Sequence, residues 1–143
     1  MTTTPRLLYG FLSQSSEAIN LTIPWAASDQ DGLFRMNYSK EEAVKTNLIA
    51  WAKTNRGERP MRFDFGLDTR RYLFEPEEIA KEQLKNRARQ QLSKYFSYLQ
   101  IVKLDVLTSS DTNLENTIKF ILEVKFSDEE EGKVIKVSVD VGG

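Results

Sequence analysis

The sequence contains no cysteine and no histidine. Without cysteine, the chain forms no disulfide bond and holds no metal ion through thiolates. Without histidine, it has no imidazole base, no Ser-His-Asp triad and no histidine-ligated zinc. These absences exclude most hydrolase active sites and leave carboxylates, lysines, tyrosines and hydroxyls for any chemistry. We therefore predict a protein with no cofactor and no metal site.

Long apolar runs are also lacking. No stretch of about 18 apolar residues is present, so we expect no membrane span. The start, MTTTPRLLYGFL, lacks the basic region of a secretory signal. The length of 143 residues suits one domain, predicted over residues 20–143, after an N-terminal arm over residues 1–19. The apolar patch at residues 7–12 is either a local hydrophobic cluster or a segment that docks on a neighbouring chain.

Charge is unevenly distributed, although the net charge is only −1. Residues 53–94 carry 11 basic and 7 acidic groups, a net charge of +4. Residues 95–143 carry 5 basic and 9 acidic groups, a net charge of −4. We expect these two parts of the chain to contact differently charged partners.

Hydrophobic periodicity and capping signals predict two main helices. Ser39 and Glu42 form a capping box before the first helix, which is predicted to end near residue 54. Pro76 suits the first turn of the second helix, predicted over residues 76–96. The second helix has a basic outer surface, and its predicted buried residues are Ile79, Ala80, Leu84, Ala88, Leu92, Tyr95 and Phe96.

The last third of the chain alternates apolar and polar residues with a period of two, around residues 101–107, 118–126 and 134–141. Such alternation predicts antiparallel strands that cover a core with one face. Two shorter strands are predicted at residues 20–25 and 33–38. The predicted fold class is therefore α+β. Two main helices and a short one pack on a small antiparallel C-terminal sheet, with short N-terminal strands.

The connector between the helices, RGERPMRFDFGLDTRRYLFEP at residues 56–76, is unusually rich in aromatic residues. Bulky side chains in a connector predict a folded loop that is a structural plug or a contact surface. The residues that we assign to this structural loop are Gly57, Phe65, Gly66, Asp68, Leu73, Phe74 and Glu75.

Individual expectations for this loop follow from residue type. Phe65, Leu73 and Phe74 are predicted to be buried against both helices. Gly66 is predicted to have a backbone conformation closed to side chains. Asp68 is predicted to cap a short helix over residues 69–74 with its side chain.

The loop and its flanking helices resemble the baseplate wedge and sheath-initiator family of contractile phage tails, with relatives in type VI secretion baseplates and other contractile injection systems. The family pattern is a helix ending in a Thr-x-x-Gly-x-Arg turn, then Phe-Gly, then Leu-Phe-Glu. The resemblance covers roughly residues 33–107. The residues of this chain that carry it are Thr54, Gly57, Arg59, Phe65, Gly66, Leu73, Phe74 and Glu75.

The resemblance implies a non-enzymatic structural protein that anchors in the baseplate wedge and initiates sheath polymerisation by offering a strand edge to the first sheath ring. The implied partners are other baseplate wedge proteins and the tail sheath subunit, with tail tube or hub proteins as further candidates. The implied location is the tail baseplate of a virion, assembled in the host cytoplasm; a cellular injection system stays open. No nucleic-acid or membrane partner is expected.

The chain departs from the resembled family after the second helix, where Glu-Pro-Arg is common. The corresponding residues here are Tyr98, Leu99 and Gln100. The ion-pairing role associated with Glu-Pro-Arg is therefore not carried over, and a contact at this position would be aromatic and apolar.

Besides Tyr98, Leu99 and Gln100, two further groups of residues are candidates for a protein interface. The loop arginines have three open roles: pairing with carboxylates inside the domain, holding a partner chain, or contacting phosphate. Phosphate is the least favoured because the chain is not basic overall. These arginines are Arg56, Arg59, Arg62, Arg70 and Arg71. The second group lies on the last strand beside a backbone edge that another strand can join; it comprises Lys136, Ser138 and Asp140.

The alternative function is a cell-wall-cleaving, lysozyme-like glycosidase. Its carboxylate pair would be Glu75 with either Asp64 or Asp68. Asp68 has an alternative role as a helix cap, and Glu75 has one as an acid at the positive end of a helix. We therefore predict no enzymatic activity.

Overall fold

The computed structural model describes residues 17–23, 25–28, 31, 33–112, 117–128 and 133–142. Most of the predicted N-terminal arm therefore lies outside the described residues. The chain divides into two compact units, one up to Asn47 and one from Leu48. No helix in the described ranges is long and apolar enough to cross a membrane.

The first unit contains a small antiparallel pair of strands, β1 (Asn20–Leu21) and β2 (Met36–Asn37). Both strands lie within the predicted segments and are shorter than predicted. The buried side chain of Asn37 donates hydrogen bonds to Asn20 Oδ1 (2.8 Å) and to Thr46 Oγ1 (2.9 Å). These bonds satisfy an amide that would be costly to bury alone.

The remaining elements follow the predicted order of helix, loop, helix and strands. They are α1 (Lys40–Lys53), α2 (Thr69–Tyr72), α3 (Glu77–Tyr95), β3 (Leu99–Leu107), α4 (Ser109–Thr112), β4 (Thr117–Phe126) and β5 (Ile135–Gly142). The predicted α+β class is confirmed. The polar residues 109–116 predict a loop between two strands, and the short helix α4 lies at its start.

The C-terminal sheet has the strand order β3–β4–β5, with antiparallel pairing throughout. The β4–β5 register is regular, whereas β3 shifts register against β4 between Ile101 and Lys103. Val102 is the extra residue of this β-bulge, and its side chain is 50% exposed. Alternation of Val102, Leu104 and Val106 with Lys103 and Asp105 predicts that Val102 lies on the core face. This prediction was wrong, because the bulge rotates Val102 out of the alternation.

The core of the second unit is built around Trp51, which is fully buried. Its ring meets Phe96 and Phe120 edge-on, with centroid separations of 6.1 and 5.9 Å. These contacts join α1, the end of α3 and the central strand β4. The other core residues include Leu48, Leu67, Leu84, Ala88, Leu92, Leu122, Val124, Val137 and Val139.

The buried stripe of α3 differs from the predicted one at Ile79, which is 48% exposed. Ala80, Leu84 and Ala88 define the stripe at intervals of four residues, and Ile79 lies about 100° away from it around the helix. Gln91 is buried instead. The prediction that Ile79 belongs to the buried face was wrong.

Polar contacts hold the start of α3 to the end of β3. The Glu77 carboxylate accepts hydrogen bonds from Thr108 Oγ1 (2.9 Å) and from the Ser110 amide (3.3 Å). The pKa of Glu77 is lowered by hydrogen bonds, most by the one from the Ser110 side chain, next by the one from Thr108, and less by the one from the Ser110 amide. One turn further along α3, Lys81 pairs with Asp111 at 2.6 Å. The helix and the sheet are thus tied at this end by hydrogen bonds as well as by packing.

Candidate protein interface

The long connector after α1 folds back onto the C-terminal end of that helix. The Leu67 amide donates to the Trp51 carbonyl (3.4 Å), and the Asp68 amide donates to the Thr54 carbonyl (3.3 Å). The last carbonyls of a helix have no partner within the helix, so donors from elsewhere must satisfy them. The connector supplies these donors and is therefore part of the folded domain.

Gly66 is held between α1 and α3. Its amide donates to Gln91 Oε1 (3.2 Å), and its carbonyl accepts from the Arg87 guanidinium (3.0 and 3.2 Å). Its φ is +111°, and a Cβ built on it would lie 2.4 Å from the Thr54 carbonyl oxygen. The prediction of a conformation closed to side chains is confirmed. Sequence reasoning missed Arg87 and Gln91, because helical spacing alone does not show which polar residues face a loop.

Asp64 fixes the loop to the C-terminal end of α3. Its carboxylate accepts hydrogen bonds from Lys94 Nζ (2.6 Å) and Tyr95 Oη (2.7 Å). These bonds, the Lys94 one first, lower the pKa of Asp64 from 3.8 to about 2. The carboxylate therefore stabilises the fold in its ionised form.

The lowered pKa of Asp64 gives a pH-dependent prediction. A carboxyl group with a depressed folded-state pKa stabilises the protein above its ordinary pKa, and the effect is lost as the pH falls through the folded-state value. Asp64→Asn is expected to lower the melting temperature at pH 7, and the difference should shrink progressively between pH 4 and pH 2. Thermal unfolding across this range measures it. A difference that stays constant with pH would contradict the assigned role.

Two loop arginines lie over aromatic rings. The Arg59 guanidinium lies 4.5 Å from the centroid of the buried Phe65 ring, and that of Arg62 lies 5.7 Å from the Tyr95 ring. Phe65 itself packs edge-on against Tyr95 at 5.0 Å. Such cation–π contacts orient the guanidinium groups and leave their hydrogen-bond donors available.

All five candidate arginines are exposed at the surface. Within the described part of the chain, none of them forms an ion pair with a carboxylate. Two large apolar side chains of the same loop, Met61 and Phe63, are 94% and 66% exposed. Exposed arginine, methionine and phenylalanine side chains together are typical of protein interfaces.

Phe74 was predicted to be buried, and this prediction was wrong: its side chain is 87% exposed. Leu67 and Tyr72 fill the core positions instead, and Leu73 is half-buried. Because Tyr72 faces inward at the end of α2, the residue two positions later projects into solvent. Phe65 is buried as predicted.

The side-chain cap predicted for Asp68 was also wrong. Asp68 does precede α2, but its backbone is left-handed (φ 58°) and its side chain makes no capping bond. A capping side chain reaches the helix amides from an extended backbone, which Asp68 lacks. Gly57 has a positive φ of 87°, and its amide donates to the Phe63 carbonyl at 2.8 Å. The Glu75 amide donates to the Tyr72 carbonyl at 3.2 Å.

The two outer strands of the C-terminal sheet contain the other candidate residues. At the start of β3, Tyr98 and Gln100 are exposed, whereas Leu99 is buried and its side chain is not available at the surface. The side chains of the β5 candidates are exposed. Lys136 pairs with Glu123 (3.4 Å), and Asp140 pairs with Lys119 (3.7 Å). β5 is an edge strand, and in the described ranges its backbone bonds only to β4.

Comparison with known proteins identifies the family. The family model of the baseplate wedge protein gp25 matches residues 38–131, about two-thirds of the chain. The chain belongs to this family. The resemblance carried by the loop motifs is thereby confirmed, and the protein is a structural component of a contractile-tail or injection-system baseplate.

Two solved structures share the fold. A chain of the anti-feeding prophage baseplate, determined by electron cryo-microscopy with six-fold symmetrisation, aligns over 85% of this chain and 94% of its own, with a TM-score of 0.62 and 17% identity. A provisionally named tail lysozyme from Geobacter sulfurreducens aligns over 76% of this chain and 95% of its own, with a TM-score of 0.61 and 16% identity. Comparison with curated proteins gives no significant match.

The geometry of this baseplate wedge family member argues against the pairing of Asp64 with Glu75 in a glycosidase. Asp64 is bound at the C-terminal end of α3, whereas Glu75 precedes its N-terminus. The 19 residues of α3 span roughly 28 Å, several times the ~5–9.5 Å that separates glycosidase carboxylates. The pKa of Asp64 is also shifted in the direction opposite to that of a general acid.

Proposed function

We propose that this baseplate wedge protein anchors in the baseplate through its basic loop and initiates sheath polymerisation by offering the β5 edge to the first sheath ring. The observation that carries the proposal is the edge itself. β5 is eight residues long and pairs with β4 in regular register. Within the described ranges, its backbone forms no hydrogen bond with any other segment. Such an edge is a template for a strand of another chain.

The opposite edge, β3, is less suited to strand addition. Its bulge at Val102 interrupts the pairing and bends the strand. Lys103 and Asp105 pair with each other on this strand at 3.1 Å. Bulges and charged side chains are features that discourage edge-to-edge pairing. Strand addition is therefore assigned to β5.

Anchoring is assigned to the loop for two reasons. Its arginines form no ion pair within the described part of the chain, and they lie beside the exposed side chains of Met61 and Phe63. Arginine suits interfacial pairing with carboxylates because its planar group makes two parallel hydrogen bonds. The expected partner is another wedge protein with an acidic, partly apolar surface. The proposal involves no catalytic step, and purified protein should leave peptidoglycan intact.

Proline substitutions at the two edges test the proposal. Ser138→Pro on β5 is expected to abolish sheath polymerisation on assembled baseplates, because proline lacks the backbone donor and clashes with an incoming strand. Ile101→Pro on β3 is the matched control, since Ile101 is also an exposed residue of an edge strand and its amide faces away from β4. Its baseplates should nucleate sheath normally. Sheath length and number are counted by electron microscopy, after thermal unfolding has shown that each variant folds.

The proposal fails if folded Ser138→Pro protein nucleates sheath as well as the wild type, or if only Ile101→Pro blocks it. If Ser138→Pro does not fold, cross-linking replaces it. The chain has no cysteine, so Ser138→Cys carries a single photoactivated cross-linker. The expected product joins this protein to the sheath subunit, and its absence would also count against the proposal.

A further inference from the structure

A cleft of about 550 Å³ lies at the C-terminal end of β5. It combines residues from three separate parts of the chain, namely the end of α1, the segment around α2, and β5. Its apolar residues are Leu73, Phe74 and Val141, and its charged residues are Lys53, Arg70 and Asp140. No spacing in the sequence brings these residues together, so the cleft is visible only in the fold.

Phe74 gives this cleft a large, exposed apolar side chain that a partner could cover. Its side chain is 87% exposed beside the cleft, while Leu67 and Tyr72 already fill the core. The domain therefore does not need Phe74 for its own packing. Large aromatic side chains that become buried only on binding are typical of interface hot spots.

The charged residues define what the cleft accepts. Lys53 and Arg70 are exposed, and neither forms an ion pair within the ranges that the structure describes. Asp140, in contrast, already has Lys119 at 3.7 Å. Arg70 also attracts the Glu58 carboxylate and helps to lower its pKa, after the hydrogen bonds from Asn55, but forms no ion pair with it. The cleft thus has two cations beside an apolar surface, and this combination complements a carboxylate next to an apolar side chain.

The position of the cleft connects it to the β5 edge. Asp140 and Val141 belong both to the edge strand and to the cleft wall. A chain segment that pairs along β5 therefore reaches the cleft at the end of the ladder. We propose that the cleft recognises this partner segment, and that the segment has an apolar residue next to an aspartate or glutamate where it passes residues 140–141. This inference rests on the proposed strand addition at β5.

Site-specific cross-linking tests the cleft separately from strand addition. Protein with Ser138→Cys and a photoactivated cross-linker is assembled into baseplates and mixed with sheath subunits. Adding Phe74→Ala or Arg70→Glu is expected to weaken capture of the sheath subunit about tenfold or more, measured by titration of the subunit. Capture is counted per molecule bound to the baseplate, so that a loss of anchoring does not count as a loss of capture. Both residues are exposed, so melting temperatures should stay at the starting value.

Matched controls come from outside both the basic loop and the cleft. Ile79→Ala shortens another exposed apolar side chain and Arg89→Glu reverses another exposed arginine, both on α3, and neither residue lines the cleft. Neither control should change capture through Ser138→Cys. Capture unaffected by Phe74→Ala and Arg70→Glu would overturn the cleft assignment and leave strand addition standing. Equal losses in the controls would also overturn it. No capture by the starting protein would instead reject strand addition itself.

Discussion

Gly66→Ala is expected to destabilise the domain by on the order of 4 kcal/mol or more, a loss that few single substitutions reach. The added Cβ would lie 2.4 Å from the Thr54 carbonyl oxygen and 2.9 Å from its carbon, both backbone atoms at the end of α1. The backbone cannot move away easily, because Gly66 is hydrogen-bonded to Gln91 and Arg87 on the other side. The substitution therefore combines a collision with a positive φ that alanine disfavours.

Gly57→Ala separates these two effects. Gly57 also has a positive φ, of 87°, but a Cβ there would meet nothing within 4 Å. It should cost only the conformational penalty of about 1–2 kcal/mol. Urea unfolding of both variants gives the two free energies. Equal losses would mean that the contact between Gly66 and the end of α1 does not limit stability.

The sequence predicts this loop well where local chemistry decides the outcome. Gly66 was predicted from its residue type to have a backbone conformation closed to side chains, and its φ of +111° agrees. Alternation likewise predicts the three long strands, because one face of each must cover the core. The burial of Phe65 and the exposed positions of Lys136 and Ser138 follow from the same kind of pattern.

The sequence does not show which of several similar apolar residues is buried and which is exposed. Phe74, Tyr72 and Leu67 are all large and apolar, and only the three-dimensional packing decides that Phe74 is the exposed one. Val102 matches the strand pattern, but a single inserted residue reverses the side on which it lies. Neither outcome leaves a signal in residue spacing.

The position of the candidate interface could be predicted from the sequence, but the contacts of its side chains could not. The density of arginines marks the loop as a contact surface, but their partners inside the domain could not be read from the sequence. Arg59 and Arg62 lie over rings instead of pairing with carboxylates. Arg87, which belongs to a basic helix surface in the sequence, instead holds the Gly66 carbonyl. Such assignments require the path of the loop in three dimensions.

Trp51→Ala is expected to cost roughly 3–5 kcal/mol, as is typical for removal of a large buried aromatic side chain. Trp51 is fully buried and contacts both Phe96 and Phe120. Its loss would leave a cavity where α1, α3 and β4 meet. Since small domains are stable by only about 5–15 kcal/mol, this is a large share of the total.

Trp51→Phe distinguishes packing from polar desolvation at the same site. The buried indole Nε1 has no hydrogen-bond partner among the described residues, and burying such a donor costs about 1–3 kcal/mol. Phenylalanine removes the donor and keeps most of the aromatic contact, so it should cost much less than alanine, roughly 1 kcal/mol. Circular dichroism during urea unfolding measures all three proteins without relying on tryptophan fluorescence. Trp51→Phe could instead lower the free energy of unfolding as much as Trp51→Ala does. The core would then depend on the full indole volume, and removing the unpaired Nε1 donor would bring no measurable gain.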